Sequence, residues 1–466
     1  MRSPFVAFAV ILSLLTSPLS ALDLDVNDED SIRSAASTIA YGLVKYYSGN
    51  VTNTPETIGV LPKPHYWWQS GAMWGLLLDY YHYTGDPTYH SITTQAILSQ
   101  LGPEYDFMVP MYFLSEGNDD QAFWGFAAMS AAERNDTQPP IGNYTWVQIV
   151  ENLWNTQARR WDMATCGGGL KWQIFSYNKG YNYKNTVSNA AFFQISARLA
   201  RFTGNQTYVE WAHKVYDWIS SSGLLDSGYQ LLDGAEDTTN CTKINGIIWT
   251  YNNAIFLYGS AVMYNHTDGS SLWAERTQGL LDASNNFFGP FQNSTNIMYE
   301  PACETAGTCN TDQFSFKGYL SRFMWKTTVL APFTQNSISA LLTASSQAAA
   351  RSCSGGTNGV TCGTRWYVDG WDGKYGVGQQ MSALETIQGL LISKSVPPLR
   401  SEDLKVVAIP SAPSTPSAAP LATKTEIASP TASKNSGASS SSIGRDSEHL
   451  LFVTGVFLGL KLMLDL

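Results

Sequence analysis

The sequence predicts an all-α protein whose twelve helices form six hairpins that close into an (α/α)6 barrel. Three observations lead to this prediction: apolar residues recur at helical spacing, the helices are even in number, and short links alternate with long connections. The expected helices cover residues 30–48, 66–84, 87–100, 119–134, 144–160, 186–203, 206–221, 249–265, 270–287, 314–330, 334–350 and 378–393.

A weak internal repeat supports the hairpins. Residues 83–89 and 202–208 share a Thr-Gly-(Asp/Asn)-x-Thr-Tyr pattern, and residues 264–269 occupy a third equivalent point. In the first two links a glycine closes one helix and a proline or polar residue opens the next. The connections that enter the alternate helices are long: ~101–118, 161–185, 222–248, 288–313 and 351–377. Because long loops carry function, we expect the site at the N-terminal ends of the inner helices.

The two ends of the chain carry processing signals. Residues 1–21 have the basic start, short apolar core and small residues of a secretory signal peptide. Residues 435–466 have the pattern of a GPI attachment signal, with Asn435 or Ser436 as the attachment residue and an apolar tail. The alternative, a membrane-spanning helix, is disfavoured because the tail is short and contains Lys461 and Asp465. We expect a secreted protein, anchored through a GPI lipid at the outer face of the plasma membrane or in the cell wall.

The segment before the tail differs in composition from the body. Residues 396–442 are rich in Ser, Thr, Pro and Ala and poor in aromatic residues, so they bury too little apolar surface to fold. We expect a disordered, O-glycosylated stalk there. The folded domain is therefore expected over residues 22–395.

The cysteines and sequons fit a secreted protein. Six cysteines, with no Cys-x-x-Cys motif or clustered histidines, favour disulfides over a metal site. Cys303–Cys309 and Cys353–Cys362 are close pairs and leave Cys166–Cys241, although six cysteines allow 15 connectivities. N-glycosylation is expected at seven sequons: Asn50, Asn135, Asn143, Asn205, Asn240, Asn265 and Asn293.

The charge of the chain excludes some partners. The net charge is −10 and no basic stripe exists, which argues against nucleic acid. Gly167, Gly168 and Gly169 lack the spacing of a phosphate-binding loop, so we interpret them as an ordinary loop. We expect neither a metal nor an organic cofactor, and we expect a monomer.

The most informative motif is the pair Asp119–Asp120 within residues 115–124. Neighbouring carboxyls at the junction of a loop and a helix can lie roughly 5–5.5 Å apart, the separation that glycoside cleavage with retention requires. The alternative is ordinary helix capping, because an aspartate in a first turn satisfies free N–H groups and the helix dipole.

The other inner-helix ends carry residues suited to sugar binding. Flat aromatic rings cover the apolar C–H faces of sugars, while amides and carboxylates share hydrogen bonds with hydroxyls. An aromatic residue at helical spacing is otherwise a core residue, and we assign Trp74 and Trp211 to the core. The substrate-binding candidates are Trp68, Gln69, Trp124, Trp172, Asn189, Tyr251, Asn252, Lys317, Trp371 and Asp372.

Four segments together resemble glycoside hydrolase family 76, whose members are α-1,6-mannanases: residues 117–125, 168–172, 183–186 with Asn189, and 249–252. The resemblance covers about residues 30–393. It implies an (α/α)6 barrel and a retaining mechanism without a cofactor, in which Asp119 is the nucleophile and Asp120 the acid/base.

The signal peptide, stalk and tail resemble the fungal cell-wall branch of that family. This resemblance implies an endo-acting mannan α-1,6-mannosidase in cell-wall biogenesis. It also suggests transglycosylation, in which mannoproteins pass from their GPI glycan to a wall β-glucan acceptor. Two alternatives stay open: a non-catalytic carbohydrate-binding protein of the same fold, and an (α/α)6 enzyme that inverts or acts on another polymer.

Overall fold

The computed structural model describes residues 21–52, 54–141 and 144–404, and twelve long helices account for nearly half of them. Short 3-10 turns and one four-residue helix, Gly49–Thr52, lie in the connections. The twelve helices are α1 (Glu29–Val44), α2 (Trp67–Thr84), α3 (His90–Ser99), α4 (Asn118–Glu133), α5 (Trp146–Arg159), α6 (Thr186–Thr203), α7 (Gln206–Ser221), α8 (Thr250–His266), α9 (Ser271–Ala283), α10 (Phe316–Leu330), α11 (Gln335–Ser352) and α12 (Val377–Gln388).

The even-numbered helices form a closed inner ring. Each packs against the next, from α2 through α4, α6, α8 and α10 to α12, and α12 packs back against α2. The odd-numbered helices lie outside this ring, each against one or two inner helices. The predicted (α/α)6 barrel is confirmed, and the inner helices run parallel with their N-terminal ends at one face.

Burial explains which helices are inner and which are outer. An outer helix buries only one stripe, as an amphipathic sequence dictates. In α5 the buried residues fall at helical spacing: Trp146, Ile149, Val150, Leu153, Trp154 and Gln157. An inner helix is covered on all sides, and in α4 every residue from Gln121 to Glu133 is buried.

The repeated links end helices as expected. Gly85 ends α2 and Gly204 ends α6, with φ of 75° and 70° respectively. These left-handed conformations favour glycine because it has no Cβ to clash. At the third point α8 ends at His266, and Gly269 has φ of 92°.

A small antiparallel sheet lies in two long connections that the sequence analysis treats as loops. Its strands are β1 (Tyr183–Asn185), β2 (Leu232–Glu236) and β3 (Ile244–Ile248), in the order β1-β2-β3. Lys184 pairs with Ala235 across a long sequence separation. Strands of three to five residues with a distant partner give little periodic signal, which explains why they were not predicted.

Three disulfides brace the long connections: Cys166–Cys241, Cys303–Cys309 and Cys353–Cys362. They are the same three pairs that the sequence suggests. The first joins the connection that contains β1 to the hairpin of β2 and β3. It therefore restrains the loops at the face where the inner helices begin.

Buried ion pairs join the inner helices inside the barrel. Arg322 contacts Asp79 at 2.7 Å and Arg198 contacts Glu133 at 2.6 Å. Lys326 also reaches Asp79, at 2.9 Å. Because one unpaired charge in a buried cluster is costly, these contacts fix how α2, α4, α6 and α10 meet.

The chain after α12 forms a strap, defined here as residues 396–404, across the C-terminal ends of the inner helices. Leu399 N–H donates to the carbonyl of Glu133 at 2.8 Å, and Arg201 donates to the carbonyl of Pro398 at 2.8 Å. Arg400 donates to the carbonyl of Asn265 at 3.3 Å. The sequence analysis places these residues in the stalk. This boundary is corrected, because buried arginine and backbone groups of the barrel supply partners that composition does not reveal.

Several expectations fall outside the described residues. Residues 1–20 of the expected signal peptide, residues 405–442 of the stalk, the whole of 435–466 and the sequon residue Asn143 are among them. Within the described residues, every helix is too short or too polar to cross a bilayer.

Candidate active site

A cleft opens where the N-terminal ends of the inner helices meet. Its aromatic walls are Trp68, Phe123, Trp172, Tyr183, Tyr251 and Phe316. Its polar groups are Asp119, Asp120, Asn185, Asp233 and Asp312. The cavity of about 180 Å³ shares Trp172, Tyr183 and Asp233 with a groove of about 1000 Å³ that runs along the sheet. A small cavity thus continues into a larger groove.

The start of α4 places Asp119 and Asp120 at the floor of this cleft. The Gly117 N–H donates to Asp120 Oδ2 at 2.6 Å, which is helix capping in the ordinary sense. Asp119 Oδ1 accepts from the Asp120 N–H at 3.1 Å, and Asp119 Oδ2 accepts from Asn185 Nδ2 at 3.2 Å. The same pair of residues therefore contributes to helix capping and also lines the cleft.

Gly117 lets the two carboxyls approach each other. A Cβ at this position would lie 2.4 Å from Asp119 Oδ1 and 3.2 Å from Asp120 Oδ2. Both oxygens lie within 3.2 Å of one point, so they are closer than the roughly 6.5–9.5 Å of an inverting pair. The spacing suits a retaining mechanism.

The electrostatics of the two carboxyls differ. Burial raises the pKa of Asp119 to about 7, while backbone N–H groups and the Asn185 amide oppose the increase. Burial and the adjacent Asp119 charge raise the pKa of Asp120 well above its usual range. Because the two environments are unequal, Asp119 loses its proton at a lower pH than Asp120 does.

The loop that carries Trp172 is tied to the start of α4. Asn118 N–H donates to the carbonyl of Trp172 at 2.9 Å, and Asn118 Nδ2 donates to the carbonyl of Lys171 at 2.8 Å. Gly180 packs against one face of the Trp172 ring, since a Cβ there would lie 2.4 Å from it. The ring also lines both the cavity and the groove.

Stacked rings form the opposite walls. Tyr251 and Phe316 lie parallel with centroids 3.9 Å apart, and Trp68 leans on Phe123 at 4.6 Å. Tyr251, Trp68 and Trp172 are thus the three predicted aromatic candidates that line the cavity. Rings at helix starts, held by other rings, make rigid platforms for a sugar face.

Three polar residues of the cleft were not among the predicted site residues. Asp233 is in β2 and Asp312 is in the connection before α10, while Asn185 ends β1. The segment containing Asn185 was recognised as a motif, but its side chain was not selected. A lone aspartate in a long loop carries no periodic or spacing signal, so Asp233 and Asp312 could be found only from the fold.

Five predicted residues are buried beside the cleft without lining it. Asn189 bonds both the N–H and the carbonyl of Leu170, which holds the Trp172 loop. Lys317 pairs with Glu304 at 2.8 Å. The expectation that these residues line the cleft is corrected, because helix starts turn some side chains inward between helices: Gln69, Trp124, Asn189, Asn252 and Lys317.

Trp371 and Asp372 shape a turn elsewhere on the same face. The Trp371 indole N–H donates to the carbonyl of Lys374 at 2.7 Å. The Asp372 carboxylate accepts from the N–H groups of Thr364 and Arg365, both at 3.1 Å. Neither residue lines the cavity or the groove, and both are corrected to structural positions.

The sequons lie mostly at the surface. Asn50, Asn135, Asn205, Asn240 and Asn293 are exposed. Asn265 is partly buried and accepts a hydrogen bond from Arg201 at 2.8 Å. N-glycosylation remains a prediction for all of them. Within the described ranges, no three His, Cys, Asp or Glu side chains are grouped as metal ligands.

The family assignment agrees with this geometry. The model of glycosyl hydrolase family 76 matches residues 31–402. The chain belongs to glycoside hydrolase family 76. It is 48% identical over 392 residues to mannan endo-1,6-α-mannosidase DCW1 of Candida glabrata, covering 83% of this chain and 86% of that protein. The Saccharomyces cerevisiae protein of the same name is 49% identical over 370 residues, covering 79% and 81%.

Solved structures of family 76 members share the fold. Dfg5 from Chaetomium thermophilum, crystallised in complex with glucosamine, is 39% identical with a TM-score of 0.77 and covers 81% of this chain and 94% of that one. The GH76A α-1,6-mannanase of Salegentibacter is 18% identical with a TM-score of 0.61, covering 78% and 99%. This family 76 chain is a glycoside hydrolase with an (α/α)6 barrel.

Proposed function

We propose that this glycoside hydrolase cleaves internal α-1,6-mannosidic bonds with retention, in glycans of the fungal cell surface. The observation that carries the proposal is the pair Asp119–Asp120 at the floor of an aromatic cleft. Two relatives of 48% and 49% identity that bear the name mannan endo-1,6-α-mannosidase support the substrate.

The mechanism follows from the two unlike carboxyls. Asp119, ionised, attacks the anomeric carbon while Asp120 gives its proton to the departing glycosidic oxygen. A covalent mannosyl ester on Asp119 results, and Asp120 is left as a carboxylate. Asp120 then removes a proton from the incoming hydroxyl, which attacks the same carbon and releases Asp119. Two displacements restore the original configuration.

The incoming hydroxyl decides between hydrolysis and transfer. Water gives hydrolysis, whereas a sugar hydroxyl gives transglycosylation, and we propose that a wall β-glucan is the acceptor. The groove of about 1000 Å³ supports this, because it adjoins the cavity and is large enough for a second glycan. Its lining includes Tyr181, Asn182 and Asn245, residue types that bind sugar hydroxyls and ring faces.

Product analysis tests both parts of the proposal. The purified full-length protein is incubated with a reducing-end-labelled α-1,6-mannooligosaccharide, with and without a β-1,3-glucooligosaccharide. We expect shorter mannosides of retained configuration and, with the glucan, a mixed mannosyl–glucan product. Hydrolysis without any mixed product rejects transfer to glucan but still supports the mannosidase activity. A product of inverted configuration rejects the double displacement.

A non-catalytic carbohydrate-binding protein is the second candidate. Its cleft would bind the same mannosides without turnover. Binding by calorimetry with no product after prolonged incubation would favour this candidate over the enzyme. The intact pair of carboxyls, with pKa values driven apart as a double displacement needs, favours the enzyme.

Cellular location is proposed from sequence alone. We propose that residues 1–21 direct secretion and that a GPI lipid replaces the tail near Asn435 or Ser436, at the plasma membrane or in the wall. Release by a phosphatidylinositol-specific phospholipase supports the anchor, and a mature protein that ends at Leu466 contradicts it. We also propose a monomer, which light scattering of the soluble body checks.

A further inference from the structure

We infer that Asp312 is a third carboxylate that contacts the sugar, and that it positions the reacting ring against Asp119 and Asp120. This inference rests on the glycosidase activity proposed above. Asp312 lies just before the 3-10 turn Gln313–Ser315 that leads into α10, and it faces the same small cavity as the pair.

The carboxyl of Asp312 accepts one hydrogen bond from the described residues and has capacity for more. The Trp68 indole N–H donates to Asp312 Oδ1 at 3.2 Å, and it is the one hydrogen-bond donor to this carboxyl among the described residues. None of the described ion pairs includes Asp312. A carboxylate has about four acceptor positions, so most of its capacity points at the cavity. A partly buried acceptor of this kind needs partners, and sugar hydroxyls supply them.

Asp233 provides the contrast. Tyr183 donates to its Oδ2 at 2.6 Å, Asn245 donates to the same oxygen at 3.0 Å, and Trp249 donates to Oδ1 at 2.9 Å. These three donors tie Asp233 to the sheet and to the start of α8. Asp312 therefore has the free acceptor capacity that Asp233 has largely used.

The position of Asp312 fits a ring seated in the cavity. Trp68 carries the indole that fixes Asp312 and also lines the cavity, and Phe316 lies four residues further on beside Tyr251. A sugar between these rings presents its C–H faces to them and its hydroxyl edge to Asp312. The same ring must present its anomeric carbon to Asp119.

The Asp312 charge also reaches the catalytic pair. It is one of the charges that raise the pKa of Asp120 and of Asp119, and burial raises the pKa of Asp312 itself to about 6. The titratable groups that face these carboxyls come from every adjoining element: Glu116, Asp233, Tyr251 and Tyr319. Removing the Asp312 charge lowers the pKa of Asp120, so Asp120 loses its catalytic proton at lower pH.

The test compares full-length Asp312→Asn with wild type across a pH series on an α-1,6-mannooligosaccharide. We expect kcat/KM to fall by about 10-fold or more, as the loss of a charged hydrogen bond predicts. We also expect the alkaline limb of the kcat/KM profile to move to lower pH. Asp217→Asn removes the same charge from an exposed ion pair on α7 and should change neither quantity.

A further variant and a second measurement keep the test decisive if Asp312→Asn misfolds or if the wild type lacks turnover. Trp68→Phe keeps a ring but removes the N–H that holds Asp312, so we expect a smaller loss of the same kind. If wild type lacks turnover, the proposed function fails, and calorimetric affinity for the mannoside then tests Asp312 separately. An unchanged affinity, or a kcat/KM within twofold of wild type with an unmoved pH profile, overturns the inference. If Asp312→Asn does not fold, the Trp68→Phe profile decides.

Discussion

At the scale of single residues, the two candidate catalytic carboxyls differ in the hydrogen-bond donors that surround them. Asp119 has a donor on each oxygen, from the Asp120 N–H and from Asn185. Asp120 has one donor, the Gly117 N–H on Oδ2, which leaves Oδ1 for the proton and the leaving oxygen. The unequal supply of donors supports the proposed division of roles, with Asp119 as the nucleophile and Asp120 as the acid/base.

Replacement of either catalytic carboxyl should abolish turnover without unfolding the protein. Asp119→Asn removes the nucleophile, and Asp120→Asn removes the transferable proton, a contribution of roughly 10²–10⁴ in rate. An asparagine still caps a helix, so we expect the melting temperature to change little. Steady-state rates and thermal melts check this. A variant that keeps near-normal turnover refutes its role, and unfolding of both variants would favour a purely structural pair.

The Asn185 amide should set the acid limb of the pH profile. It donates to Asp119 Oδ2 and so stabilises the ionised form. In Asn185→Ala the pKa of Asp119 rises above its present value of about 7, so kcat/KM reaches its plateau only at higher pH. The measurement is kcat/KM against pH for both proteins.

A matched control separates this effect from helix capping. Asn185 also caps α6, and loss of a cap costs about 1 kcal/mol. Asp28→Ala removes the cap of α1, away from the cleft, and should lower stability without moving the acid limb. An acid limb that stays in place in Asn185→Ala would show that the amide does not tune Asp119.

The sequence singled out Asp119 and Asp120 because the two carboxyls are adjacent and stand in a specific motif, and both line the cleft. It did not identify Asp233 and Asp312, whose role comes from loops that converge only in the closed barrel. It also placed too many residues in the cleft, since Asn252 and Lys317 lie at helix starts but their side chains are buried between helices. Helical spacing predicts the end of the barrel at which a residue lies, but it does not predict the direction in which the side chain points.

At the scale of elements, the sheet completes the cleft beside the starts of the inner helices. The strands carry Tyr183, Asn185 and Asp233 to the rim, and Asn185 both ends β1 and caps α6. The helices were predictable from period and from their glycine ends. The strands were not, because they are only three to five residues long and β1 pairs with β2 across α6 and α7 in sequence.

The Trp172 loop should act in binding more than in folding. Trp172→Ala removes a ring that lines both cavity and groove, and we expect sugar affinity to fall by about 1–2 kcal/mol. Calorimetry with an α-1,6-mannooligosaccharide measures it, alongside a thermal melt. Trp74→Ala is the comparison, because that ring is fully buried away from the cleft and its loss should lower stability chiefly. Equal affinity for wild type and Trp172→Ala would remove Trp172 from the site.

At the scale of the whole molecule, the barrel has one open and one closed end. Long connections, disulfides and the sheet surround the open end, whereas the strap crosses the closed end. Composition placed the strap in the stalk because it reflects residue types and carries no information on hydrogen-bond partners. Arg201 of α6 donates to the strap, and Arg400 of the strap donates to Asn265 of α8, so both contacts form only after folding.

The strap should contribute to stability while the stalk should not. A protein that ends at Leu404 keeps all strap contacts, and we expect its melting temperature and activity to equal those of the full chain. Ending it at Ser395 leaves Arg201 without the carbonyls of Pro398 and Leu399. Hydrogen bonds from a charged donor are worth about 1.5–3 kcal/mol each, so unfolding should become easier by about 3 kcal/mol. Equal denaturation midpoints for the two truncated proteins would show that the strap is only a passive tail.

The closed end also determines where the described chain leaves the barrel. It does so at the strap, at the end opposite the cleft. The inner helices of 12 to 18 residues separate the cleft from the strap by about 18–27 Å at 1.5 Å per residue. A glycan therefore reaches the cleft without passing the strap, which lies at the other end of the inner helices.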